Sequence, residues 1–213
     1  MVKKLFAAAL IAAFLILPVS SVSPAQAGAA SSPEQGYQPG NVPAETDAAE
    51  SMSPALHALL LAMLNHGADS LAFEDASLTW EVLYNMLSLY GQLDSRSVTE
   101  QGKLLLPEET VLDYAAALAC DLTGSSGRLG MPPAAVRDRL NYDRSSGCYT
   151  VVCGEDDLSQ LQVDSFNSST RGCTLTGSLV YQVNGQILAR FQADLTLQDN
   201  MFGYAVTGIS VTE

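Results

Sequence analysis

Residues 172–197 constrain the fold more than any other stretch of the chain. From Gly172 to Gln182 the odd positions Cys173, Leu175, Leu179 and Tyr181 are apolar. The even positions Thr174, Thr176, Ser178 and Gln182 are polar, with Val180 the exception. From Gln186 to Leu197 the alternation repeats: Ile187, Ala189, Phe191, Ala193 and Leu195 against Arg190, Gln192, Asp194 and Thr196. A period of two is the mark of a strand with one buried face, and Asn184-Gly185 between the arms is turn chemistry. Parity then sets the loop, because directly opposed residues share a face. A two-residue loop would set the apolar face of one arm against the polar face of the other. A three-residue loop, Val183-Asn184-Gly185, pairs Gln182 with Gln186 and keeps both apolar sets together. The expectation is a type I turn with Gly185 as a left-handed bulge residue. Gly177 then faces Phe191 and leaves room for its ring.

Further strands are expected at Leu140 to Asp143 and Cys148 to Cys153 around a turn at Arg144 to Gly147, near Gln160 to Phe166, and from about Phe202 to Thr212. Three helices precede them. Ser53-Pro54 reads as a cap with proline at the first helical position. Leu56, Leu59, Leu60, Met63 and Leu64 follow at helical spacing, and Gly67 stands where a C-terminal cap belongs. The second helix starts near Ser77 or Thr79 and stops at Gly91, with Trp80, Leu83, Tyr84, Leu87 and Tyr90 as its stripe. The third runs from Pro107 to about Asp121, with Glu108 and Glu109 favoured at the positive end of its dipole. The fold class expected is α+β: three N-terminal helices packed on a curved C-terminal antiparallel sheet of five or six strands. This order of elements resembles the layout of cystatin-like and NTF2-like domains, an analogy of fold that implies a cone-shaped sheet wrapped on a helix.

Residues 1–27 read as a secretory signal peptide. Lys3 and Lys4 precede a 15-residue uncharged apolar run from Leu5 to Val19, and Ala25-Gln26-Ala27 is a small-x-small cleavage pattern before Gly28. The run is shorter than the roughly 20 residues that span hydrocarbon. Residues 28–50, rich in Ala, Ser, Pro, Gly, Gln and Glu, read as a disordered linker, leaving 51–213 as a single α+β domain. Secretion or a periplasmic or other extracytoplasmic location follows, with no membrane insertion of the mature chain. The formal charge is −13, and cleavage after Ala27 removes two lysines and takes it to −15. Such a chain lacks the basic stripe that displaces phosphate counterions, so nucleic acid is not a partner.

Cys120, Cys148, Cys153 and Cys173 form an even set in an exported chain and are disulfide candidates. Cys148 and Cys153 are not expected to bond each other. Five steps of strand put their Cα atoms about 16 Å apart, against the roughly 4.4–6.8 Å a disulfide needs. Cys173 is left to join Cys148 or Cys153, with Cys120 taking the other. Glu155, Asp156 and Asp157 lack the alternating spacing of an EF-hand; they read as a solvated turn, with calcium the alternative. His57 and His66 fall on opposite sides of the first helix, cannot share a metal through it, and read as partly exposed. No nucleophile elbow, S-x-x-K pair or phosphate-cradling loop occurs. Among the inward residues from Leu175 to Leu195 of the central hairpin, Tyr181 is the one titratable group. The chain therefore reads as an exported non-catalytic binding or interaction domain, without cofactor, for a protein or peptide in the envelope or extracellular space. Thr174, Thr176, Ser178, Gln182, Arg190 and Gln192 form the candidate contact face. The alternative is a small-ligand carrier or enzyme with a pocket between helices and sheet, lined by Trp80, Tyr84, Tyr90 and Tyr181.

Overall fold

The computed structural model describes residues 45–71, 75–120, 122–123, 127–154 and 158–212, with side chains from residue 48. The expected signal segment and most of the expected linker lie outside the described residues.

Helix α1 spans Glu45–His66. It begins eight residues before Ser53, so residues 45–50, expected in the linker, are helical, and Pro54 lies inside the helix. Ala48, Met52, Ala55, Leu56, Ala58, Leu59, Leu60, Ala62 and Met63 are all buried. An apolar set on nearly every side of a helix means neighbours on nearly every side. Gly67, at φ +62°, ends it in a Schellman motif: Ala68 N–H donates to Met63 O at 2.9 Å and Gly67 N–H to Leu64 O at 3.2 Å. Helix α2, Ala76–Tyr90, is capped by Asp75, whose side chain accepts from the backbone N–H of Ser77 and Leu78.

Two four-stranded antiparallel sheets flank these helices, where one sheet of five or six strands was expected. The smaller joins β1 (Val98–Glu100), β2 (Lys103–Pro107), β3 (Leu140–Asp143) and β4 (Cys148–Val151) in the order β1-β2-β4-β3. Its first hairpin turns through Gln101 and Gly102, both at positive φ, as a two-residue primed turn requires. Leu104 and Leu106 of β2 bury against Gly91, just past the end of α2, where an added Cβ would stand 2.9 Å from Leu104 Cδ2. Helix α3 (Glu108–Ala115) follows β2, and the short α4 (Ala134–Arg137) precedes β3. The helices are therefore not all N-terminal.

The larger sheet runs β5 (Ser159–Ser168), β6 (Gly172–Tyr181), β7 (Gln186–Leu197) and β8 (Tyr204–Thr212) in chain order. Its apolar face, with Leu175, Leu179, Phe191, Ala193 and Leu195 buried, packs on α1, and α2 lies between α1 and the smaller sheet. Gly177 pairs with Phe191, Leu175 with Ala193 and Cys173 with Leu195, the parity expected from the alternation. The loop differs. Tyr181 pairs with Gln186 across four residues, and the shift is absorbed at Leu188, a bulge opposite Leu179 and Val180. Two bonds favour the longer turn: Gly185 N–H to Tyr181 O and Gln186 N–H to Asn184 Oδ1, both 2.9 Å. Gly185 has the left-handed φ, +72°.

Helix α3 stops at Ala115, short of the expected Asp121, because the next residues serve the sheet. Ala119 N–H donates to Val206 O, and Val206 N–H to Ala117 O, so this segment covers part of the outer edge of β8. The segment after α1 covers more: Val211 N–H donates to Asp69 O at 2.7 Å, and Leu71 N–H to Ile209 O at 3.3 Å. An exposed strand edge is a template for pairing, and over Val206 to Val211 the fold closes it with its own chain. On the opposite edge, β5 carries a register shift between Val163 and Ser165, which interrupts the ladder.

Candidate binding groove

Thr212 is the last described residue of β8. β8 ends opposite Arg190, while β7 continues through Ala189, Leu188 and Ile187 to Gln186. Along Ile187–Ala189, no described residue pairs with β7 on the β8 side. A groove of about 440 Å³ opens there. Met63 and Leu64 of α1 form one wall, Ile187, Leu188 and Val211 the other, and Gly67 to Asp69 its end. Large apolar side chains line it in the open: Leu64 is 40% exposed, Ile187 43% and Leu188 39%. The hairpin tip extends past the core, so Ile187, expected to face inward, projects toward solvent, and Leu64 leaves the helix stripe for the groove wall. Exposed apolar side chains gathered at a concavity mark a contact surface more often than scattered ones do. Arg190 and Asp69 also line the groove. Among the described residues Arg190 has no ion-pair partner.

The expected contact face is mostly occupied with itself. Thr174 Oγ1–H donates to Asp194 Oδ1 at 2.8 Å, and the hydroxyls of Thr176 and Ser165 stand 2.7 Å apart. Ser178 is buried, between Gln162 and Arg190 on the neighbouring strands. Gln182 belongs to the turn, and its Nε2–H reaches back to Ser159 O. Gln192 is exposed on the outer face. Of the six residues, Arg190 alone belongs to the groove.

His57 is buried, contrary to expectation, and 5% exposed. Its Nδ1 lies 2.5 Å from the Tyr90 hydroxyl and its Nε2 2.7 Å from Ser159 Oγ. A serine beside an imidazole is the geometry of an activated nucleophile, but Ser159 is also buried; the pair ties α1 to α2 and to the start of β5. His66 is exposed and pairs with Glu81 at 2.9 Å. The aromatic set expected to line the alternative pocket is spread over α2 and β6. Trp80 and Tyr84 are buried in the core, Tyr84 O–H donates to Val152 O, Arg139 stacks over its ring at 4.5 Å, and Tyr181 lies on the other sheet.

No two of the four cysteines form a disulfide, which corrects the expected bridging. The fold distributes them: Cys173 in the core face of β6, Cys148 on β4 of the other sheet, Cys120 after α3, and Cys153 exposed past β4. Burial pushes the Cys173 thiol up to about 11, so it is a core hydrophobe and not a nucleophile. Glu155, Asp156 and Asp157 lie outside the described residues. Among the described residues no cluster of three or more His, Cys, Asp or Glu is placed to hold a metal, and no helix is long and apolar enough to cross a membrane. No family model, curated protein or solved structure matches the chain.

Proposed function

We propose that the protein is an exported binding domain without catalytic chemistry, which engages a protein or peptide outside the cytoplasm through the groove between α1 and β7. One observation carries this reading: exposed apolar side chains and a strand edge unpaired among the described residues meet at the same concavity, while the neighbouring edge of β8 is covered. Export rests on the n-region, apolar run and cleavage pattern of residues 1–27. Ile187, Leu188 and Leu64 sit at element ends, where a charge perturbs the groove and spares the core.

The test compares wild type with Leu188→Lys in capture from the extracellular fraction of the native host, with thermal melts of both. The expected result is a specifically captured protein or peptide that the variant loses while its melting midpoint stays within about 2 °C. Equal capture by both proteins refutes the groove as the site. Sequencing of the exported protein should find Gly28 at its N-terminus, and a retained Met1 would refute export by cleavage.

A further inference from the structure

We infer that the groove takes its partner as an added β-strand: an extended peptide segment with alternate apolar side chains and one carboxylate in reach of Arg190. The inference rests on the groove reading and specifies its ligand. Backbone groups decide the mode. Ile187, Leu188 and Ala189 span about 10 Å of strand at 3.3 Å per residue, with their β8-side backbone unpaired among the described residues. A helix laid in the groove leaves those groups without partners; an extended segment continuing the line of β8 satisfies them. The bulge at Leu188 adds twist at this end of β7, as bulges beside binding sites do.

The walls set the side-chain pattern. A strand presents alternate residues to opposite faces, so one set descends onto Met63, Leu64 and Val211 and the other stays in solvent. Charge sets the remaining element. The chain carries a formal −13, so long-range attraction favours basic partners. The groove itself is an exception, because its one guanidinium, on Arg190, is exposed and without an ion pair among the described residues. An acidic side chain of the ligand complements it at short range. Asp69 at the groove end repels a second carboxylate, which limits the ligand to one. The remaining edges are poorer hosts: β5 is interrupted by its register shift, and β1 and β3 have three and four residues.

The test titrates acetyl-Glu-Val-Thr-Val-Thr-Val-amide to about 2 mM into the 15N-labelled protein, a range suited to millimolar affinity. The expected result is amide shift changes centred on residues 186–190, with slowed exchange at alternate amides. N-methylation of one alternate set of peptide residues should weaken binding at least tenfold, while the other set is tolerated. Arg190→Gln should weaken the Glu peptide and leave its Gln analogue unchanged. Shifts at the groove that ignore N-methylation overturn strand addition while the groove reading survives. Equal binding of the Glu and Gln peptides overturns the carboxylate. Shifts confined to other surfaces, or no shifts, overturn the inference; the capture experiment with Leu188→Lys then judges the groove separately.

Discussion

Gly177→Ala should be a strongly damaging single-methyl change at the centre of the larger sheet. Gly177 sits mid-strand in β6, paired with Val163 on one side and Phe191 on the other. A Cβ there would stand 2.2 Å from Gln162 O and 2.8 Å from Phe191 Cε1. The ring can swing, but the carbonyl belongs to the neighbouring strand and cannot move without disturbing the β5–β6 ladder. Overpacking a tight core costs about 1–3 kcal/mol, and a backbone clash places this site at about 3 kcal/mol. For a domain of this size each kcal/mol moves the melting midpoint by about 2–4 °C, so the variant should melt about 6–12 °C lower. Gly185→Ala is the matched control. Nothing lies within 4 Å of its added Cβ, and its penalty comes from φ +72° alone, about 1–2 kcal/mol for a left-handed alanine. Thermal melts followed by circular dichroism, with guanidinium midpoints as a second measure, would compare the two. A loss under about 2 °C for Gly177→Ala, or a larger loss for Gly185→Ala, would refute the packing of β5, β6 and Phe191 described above.

Two further outcomes are expected. Iodoacetamide at pH 8 should label exposed Cys153 readily in the native protein and Cys173 only after unfolding, since Cys173 is buried and its thiol is pushed up to about 11; peptide mass spectrometry reads this, and early labelling of Cys173 would contradict its place in the core. Acid should destabilise the protein partly through Glu108, whose carboxyl is held below its ordinary range, first by hydrogen bonds from Arg128 and then by the Tyr142 hydroxyl. A depressed native value means this contribution is present above the unfolded carboxylate range and is lost as pH falls through the native one. Glu108→Gln should therefore flatten the fall in melting midpoint below about pH 4.5, and an unchanged acid limb would remove Glu108 from that role.

Period and punctuation alone determined much of this fold. The alternation of Cys173, Leu175, Leu179, Phe191, Ala193 and Leu195 assigned β6 and β7, their inner face and the Gly177–Phe191 pairing, because a slip of one residue would bury every polar side chain. Gly67 marked the end of α1 and Gly185 the left-handed turn position, since glycine tolerates those dihedrals. Local signal was insufficient elsewhere. Val98–Glu100 is three exposed residues without alternation, and Leu104, Leu105 and Leu106 form an apolar run that does not distinguish strand from helix, so the second sheet was not legible. The residues after Ala115 kept helical character in sequence, but the edge of β8 took their backbone groups. Tertiary placement also separated the four cysteines, buried His57 between Tyr90 and Ser159, and turned Leu64 and Ile187 from core positions into groove walls. The groove itself depends on the end of α1 and the tip of β7 meeting at one concavity. Residue pattern specifies which face a side chain occupies; which apolar side chains gather around one concavity is decided only when the layers pack.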